Sequence, residues 1–329
     1  MKHALVALAF ISILAPAALP LADFAIPPAA AQAKSEINRN TFGVMASSPD
    51  LRDVAVLIAN AVDHEGGLRV LPVNGKGPVQ TITDLLYLRG IDAALLPSDA
   101  IAYAARNGLH QGLSDKVAYI VKLASLPVVL VAREGLERPA DLAGKRLAHG
   151  NTGSASFVAA HMILDGLSSP FVSVAGSEED ALEAVRSGKS DAAIFAGLNT
   201  PQLLKDVSAK DKLHVVALQV SEADADAYLP ALLQAKDYPG LVTGEPIETI
   251  ASALVLAVIK WPPKSPQVPR MKRFSDSLLE SLAKSSGRNI NLAATAPGIE
   301  RFAPAQKWLD ARRTPADVPK TSRTVLKEN

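Results

Sequence analysis

The residues from His149 to Ser156, His-Gly-Asn-Thr-Gly-Ser-Ala-Ser, carry the densest chemistry of the chain. A turn built on Gly150 and Gly153 that opens a helix near Ser154 leaves unpaired backbone N–H groups. It also brings the positive end of a helix dipole to the same point, which suits an anionic group. Thr152, Ser154 and Ser156 add hydroxyls to that mouth. The turn lacks the Lys-Ser/Thr ending of a nucleotide P-loop, and no Gly-x-Gly-x-x-Gly occurs, so the chemistry is capture of a small carboxylate rather than of a triphosphate. An ordinary capped strand-to-helix turn would account for the same residues.

Other polar turns share this placement. Ser47-Ser48 leads into a helix at Asp50, and Asn74-Gly75-Lys76-Gly77 leads into a helix at Val79. Ser98-Asp99 closes a third strand, and Gly197, Asn199 and Thr200 follow a fourth. Each is explicable as a helix cap. Together they stand at the carboxyl ends of strands, where open α/β sheets bind ligands, and Lys76 is the one cation among them.

Catalytic patterns are missing. His64, His110, His149, His161 and His214 form no metal-ligand spacing, and no Gly-x-Ser-x-Gly elbow is present. Glu178, Glu179 and Asp180 read as the favourable acids of a helix start. The chain has no cysteine, which excludes thiol chemistry. The expectation is a protein that is not an enzyme and uses no cofactor and no metal.

The elements that must position these turns alternate short apolar strands with amphipathic helices, the pattern of parallel strands with crossover helices. Strands are expected at Thr41–Ala46, Leu68–Pro72, Ile91–Leu96, Leu147–His149, Phe171–Val174, Asp191–Phe195 and Leu213–Val220. Helices are expected at Asp50–Asp63, Val79–Leu88, Ala100–Ala105, Ala155–Leu167, from the Ser177–Asp180 capping box to Arg186, and at Met271–Lys284. Val117–Leu123 and Pro127–Arg133 read as two extended runs, with Ala124-Ser125-Leu126 carrying the chain into a new lobe. Thr249–Lys260, a largely apolar run, reads as a helix. Arg89-Gly-Ile-Asp-Ala-Ala-Leu-Leu96 echoes Ser187-Gly-Lys-Ser-Asp-Ala-Ala-Ile-Phe195, which with matching βαβ order favours two similar lobes. The expected fold is α/β and two-lobed, each lobe a doubly wound, mostly parallel sheet, with a ligand cleft between the lobes.

The N-terminus reads as a secretory signal. Lys2 and His3 precede an uncharged run, Ala4–Ala22, and Ala31-Gln32-Ala33 offers a small-x-small site with cleavage after Ala33. Pro16 and Pro20 break a run that would otherwise approach a membrane span. Cleavage removes one base, Lys2, and one acid, Asp23, and leaves the net charge at +1, which offers no field for nucleic acid or a membrane surface. The expected organisation is a signal peptide at 1–33, the first part of lobe 1 at 34–123, and lobe 2 at 124–220. Residues 221–312 return to lobe 1 with the C-terminal helices, and 313–329 form a flexible tail. A periplasmic monomer follows.

Four segments resemble the solute-binding subunits of TAXI-type TRAP transporters, within the type 2 periplasmic binding proteins. They are Asp141-Leu-x-Gly-Lys-Arg…Gly-x-x-Gly-Ser, Gly188-x-x-Asp-Ala-Ala-x-Phe195, Leu96-Pro-Ser-Asp99 and Ala296-Pro-Gly-Ile-Glu-Arg-Phe302. The resemblance spans roughly residues 40–310. It implies capture of a small anionic or zwitterionic solute, often a carboxylate, by lobe closure, and its delivery to membrane permease subunits. Ala46-Ser-Ser-Pro-Asp50 departs from the family's glycine-rich first loop, and Gly75-Lys-Gly-Pro78 from its second. Expected contacts are Ser47, Ser48, Asn74, Lys76, Ser98 and Asp99 from one lobe, and Thr152, Gly153, Ser154, Ser156, Asn199 and Thr200 from the other. The alternatives are a binding protein of an ABC importer for a sulfonate or thiamine-precursor-like solute, a ligand-sensing accessory protein, and, last, an exported enzyme on the same fold.

Overall fold

The structure, a computed structural model, describes residues 40–63, 67–165, 169–285 and 290–312. The signal segment, the tail after Arg312 and His64 lie outside the described residues. Among the described residues no helix is long and apolar enough to cross a membrane.

The first half of the chain builds β1 (Thr41–Ala46), α1 (Arg52–Val62), β2 (Arg69–Asn74), α2 (Pro78–Tyr87), β3 (Ala93–Pro97) and α3 (Ser98–Arg106), with a short α4 (Leu113–Lys116) after them. A long strand, β4 (Val117–Arg133), leads to β5 (Arg146–His149), α5 (Ala155–Leu164), β6 (Val172–Ala175), α6 (Glu178–Arg186), β7 (Ala192–Ala196), α7 (Thr200–Leu204) and β8 (Leu213–Val216). The chain closes with β9 (Tyr228–Leu233), β10 (Ile247–Ile259), α8 (Gln267–Lys284) and α9 (Ala303–Asp310). The strands run in the order β2-β1-β3-β10-β4-β7-β5-β6, with β9 on β10 and β8 on β4.

Two parallel triplets stand at the ends of that order. β1 pairs in parallel with β2 and β3, and β5 pairs in parallel with β6 and β7. Each triplet is sandwiched by helices. In the first, Ile58 of α1 and Phe274 and Leu278 of α8 cover one face, while Ile82 of α2 and Ile101 of α3 cover the other. In the second, Ala159 and Leu164 of α5 lie on one face, and Leu182 and Val185 of α6 on the opposite one. This is the two-lobed, doubly wound α/β fold that the alternation predicts.

β4 and β10 join the two triplets. Residues of β4 from Val117 to Pro127 pair antiparallel with β10, and those from Val128 onward pair with β7 and β8. The two extended runs expected here are therefore one strand: Ala124, Ser125 and Leu126 stay in register with Leu254, Ala253 and Ser252. The ladder slips beside Leu123, between the pairs Val255–Lys122 and Leu254–Ala124, a bulge that bends the strand without ending it.

The helix expected at 249–260 is also corrected, because these residues form most of β10. Residues Thr249–Val258 are buried on both faces, which erases the alternation that marks a half-exposed strand and leaves a plain apolar run. The unexpected β9 is legible only through its partner. Pro230 suits a strand whose recorded ladder is with β10 alone.

Gly43 of β1 shows how closely the layers approach. A Cβ there would stand 1.9 Å from the Gly90 carbonyl oxygen, and the Gly43 N–H donates to Asp92 Oδ2 at 3.1 Å. Gly43→Ala should lower stability by about 2 kcal/mol by forcing the backbone apart. A urea denaturation midpoint that matches the parent would refute this account of the β1–β3 connection.

Candidate functional site

Parallel strands point their carboxyl ends at loops that receive no further ladder bonds, and those loops meet between the lobes. The loops after β1, β2, β5, β6 and β7, together with Pro97 at the end of β3, line a cleft of about 640 Å³. That size falls in the range of small-molecule sites, about 300–1,000 Å³.

Lobe 1 contributes Ser47, Ser48, Asp50, Gly75, Lys76 and Gly77. The β2 loop is tied to the β1 strand end and loop by Gly75 N–H donating to the Ala46 carbonyl at 2.7 Å and Gly77 N–H donating to the Ser47 carbonyl at 2.9 Å. Lobe 2 contributes Gly150, Asn151, Thr152 and Ser154 from the β5 turn, Glu178 and Glu179 at the start of α6, and the 197–199 turn with Gln202 and Leu203 of α7. Leu126, at the point where β4 changes partners, adds to the lining. Three carboxylates thus line the cleft against one ammonium, Lys76.

The lobes touch at two places on this cleft. Leu198 N–H, from the loop after β7, donates to Asp50 Oδ2 at 2.8 Å. Gly77 packs onto Gly153, whose carbonyl also accepts from Val79 N–H at 3.5 Å. Gly77 has φ 104° and ψ 156°, a conformation essentially reserved for glycine, and a Cβ there would stand 2.8 Å from the Gly153 oxygen.

Of the residues singled out from sequence, Ser47, Ser48, Lys76, Thr152, Ser154 and Asn199 line this cleft. Ser154 is partly committed already: its Oγ caps α5 by accepting from Phe157 N–H at 3.2 Å. Gly153 turns its carbonyl to the opposite lobe. Asn74 is exposed at the end of β2 and does not line the cleft.

Ser98, Asp99, Ser156 and Thr200 are buried and do not line it. Ser98 Oγ donates to the Ala227 carbonyl at 2.9 Å and accepts from Ala253 N–H at 2.9 Å. Asp99 accepts from Ser252 Oγ at 2.8 Å and from Tyr228 OH at 3.0 Å. The pair therefore bolts the β3–α3 junction to β9 and β10. Burial pushes the Asp99 carboxyl up to about 6, against the lowering effect of those hydrogen bonds. A strand-end Ser-Asp reads identically whether it faces a ligand or a neighbouring strand, so sequence could not separate the two.

Ser156 works through a neighbour. Its Oγ accepts from Ala196 N–H at 3.0 Å and donates to Glu178 Oε1 at 2.7 Å. That bond directs Glu178 toward the cleft while Asp180 closes the capping box with Ser177. Burial raises the Glu178 carboxyl above its usual range against the Ser156 bond, and the charges of Asp50 and Glu179 push the same way. Asp50 and Glu178 were the residues that sequence reading assigned only to helix starts. A signal existed, since one acid suffices for the box at 177–180 and three are present.

His149 is buried, with Nδ1 against the Gly150 carbonyl at 2.7 Å and Nε2 against Ser173 Oγ at 2.6 Å. Burial holds it below its ordinary value, and it serves the turn as a neutral strut. Among the described residues no group of His, Asp and Glu could hold a metal ion.

Two helix-sandwiched lobes joined by crossing strands, with a polar cleft at the facing strand ends, define a two-lobed α/β protein. The chain belongs to the NMT1-like family, whose model matches residues 52–265. No curated protein matches it. Among solved structures it is similar to an ancestral arginine-binding protein bound to arginine, at 12% identity over 74% of this chain and 93% of that one, TM-score 0.46. It is also similar to a TctC solute-binding protein from Polaromonas, at 15% identity over 82% and 88%, TM-score 0.45. A third is a Salmonella typhimurium periplasmic binding protein described for high arginine specificity, at 15% identity over 75% and 95%, TM-score 0.46.

Proposed function

We propose that this protein is a periplasmic solute-binding subunit of a TRAP-type transporter of the TAXI kind. It captures a small carboxylate-bearing solute by lobe closure and delivers it to membrane permease subunits. The observation that carries the binding role is the cleft itself, lined from both lobes by loops at the carboxyl ends of parallel strands. The motif resemblance over roughly residues 40–310 supports the TRAP partner, and the pattern of residues 2–33 supports signal-led export.

Closure needs a ligand that interacts more favourably with the closed arrangement than with the open one, and a solute touching both sets of loops does so. Lys76 and the Thr152 turn face the cleft from opposite lobes and would hold the carboxylate between them. Lobe 1 comprises the chain to about residue 123 and from 221 to 312, lobe 2 comprises 124–220, and β4 and β10 are the hinge strands. Nothing in this reading requires turnover of the solute.

Native mass spectrometry of protein purified without refolding should reveal a retained small molecule that is released on denaturation. Lys76→Ala should weaken its binding about tenfold, the loss of one charge-assisted hydrogen bond. Protein that carries no solute, and gains no thermal stability from any small carboxylate, amine, amino acid or polyol, would defeat the reading.

A further inference from the structure

We infer that the cleft holds a cationic nitrogen of its solute, an ammonium, amidinium or guanidinium, seated between Asp50 of lobe 1 and Glu178 of lobe 2. This rests on the solute-binding reading and narrows the solute to a zwitterion, with its carboxylate at Lys76 and its cation at the acid pair.

Asp50 and Glu178 come from different lobes and line one cleft. Neither makes an ion pair among the described residues. Asp50 is held from two sides, its Oδ1 accepting from Ser48 Oγ and its Oδ2 from Leu198 N–H. Glu178 is held through Oε1 by Ser156. A carboxylate oxygen accepts two hydrogen bonds, so each group keeps acceptor capacity after these bonds are made.

A second feature points to the same place. Gly197 lacks the side chain that would occupy the floor beside Asp50. A Cβ there would lie 3.4 Å from Asp50 Oδ2 and 3.8 Å from Thr200 Oγ1, ordinary contact distances, so alanine would fit and would fill the space. Thr200 is 1% exposed, yet its hydroxyl has no hydrogen-bond partner among the described residues. A buried hydroxyl left unsatisfied costs free energy, and this one lies, like Asp50 Oδ2, within 4 Å of where a Gly197 Cβ would stand.

The electrostatics give the seat a role in closure. Bringing the lobes together drives two like charges into a shared, partly desolvated space, which opposes closure when the cleft is empty. A cation between them converts that repulsion into attraction on both sides. A dianion would add a further negative charge to a cleft that already carries three acids against one lysine. The acid pair therefore rejects dianions as well as favouring zwitterions, and rejection of the wrong charge is half of specificity.

The test uses four probes on one four-carbon chain: 4-aminobutyrate, butane-1,4-diamine, succinate and butane-1,4-diol. Isothermal titration of the full protein should show 4-aminobutyrate binding most tightly, with succinate at least tenfold weaker. Glu178→Gln and Asp50→Asn should each weaken the two amine probes at least tenfold and leave their preference over the diol greatly reduced. Both variants should melt no lower than the parent, because each keeps an acceptor oxygen and removes a like charge. Succinate binding tightest, or amine binding unchanged in both variants, would overturn the cation seat while leaving solute capture intact. If no probe binds, the solute retained in native mass spectrometry decides: one lacking a basic nitrogen overturns the seat. A protein with neither a probe nor a retained solute removes the solute-binding reading, and this inference falls with it.

Discussion

Replacing Asp99 with asparagine should change the pH dependence of stability by about 3 kcal/mol, the free energy of a carboxyl moved from 3.8 to about 6 on folding. The sign follows from where the proton is held. The folded protein binds the proton more tightly than the unfolded chain, so this group's contribution is fully present below pH 3.8. It declines as pH rises and is lost above about 6. The amide of the variant carries no charge at any of these values. Asp99 is 1% exposed and is held by Ser252 and Tyr228, so water does little to soften the cost of ionising it. Urea titrations of both proteins between pH 4 and pH 8 isolate the effect, because other titrating groups cancel in the difference. The parent should lose about 2.5 kcal/mol relative to the variant across that range, whatever constant offset the altered hydrogen bonds introduce. A difference that stays level with pH would mean that Asp99 does not titrate in this window.

Gly77→Ala should reduce solute affinity about a hundredfold, or about 2.7 kcal/mol. Two costs combine. The backbone at φ 104° and ψ 156° is strained for any residue with a side chain, and the added methyl meets the Gly153 carbonyl of the opposite lobe at 2.8 Å. The second cost exists only when the lobes are apposed, so it acts on closure rather than on folding. Gly135→Ala provides the comparison, since it has a positive φ of 87° with nothing within 4 Å of its added Cβ. Small-angle scattering should show Gly77→Ala more open than the parent and Gly135→Ala unchanged. Equal scattering profiles for all three would show that this rim contact does not govern the distance between the lobes.

The acid pair bears on both the ligand and the motion. Its carboxylates repel each other across the cleft, yet Leu198 N–H reaches Asp50 directly. On the inferred cation seat, the unliganded protein sets a hydrogen-bonded contact against a charge penalty. That balance lets a modest binding free energy decide the position of the lobes.

The sequence alone determined most of the architecture. Alternation of short apolar runs with amphipathic helices favours parallel strands and crossovers, and the echo of a Gly after a helix with Asp-Ala-Ala opening a strand, at 90–94 and 188–193, repeats the unit. The Ser177–Asp180 box and the Ser154 cap are local chemistry, and local chemistry is legible in a linear string. The turns at Ser47, Lys76, Thr152 and Asn199 follow the carboxyl ends of parallel strands, where open α/β sheets gather their ligand loops, and they line the cleft.

Only the tertiary structure decided which polar groups face the cleft and which bolt strands together. Ser98 and Asp99 occupy the same kind of strand end as Ser47, yet β9 and β10 fold over them and claim their hydrogen bonds. β10 itself reads as a helix until neighbours on both faces are known, since full burial removes the period that would distinguish it. The meeting of Asp50 and Glu178 depends on residues far apart in the chain being brought to one space. No helix-start rule contains that separation, because capping is satisfied within a single turn whereas charge acts across whatever gap the fold leaves.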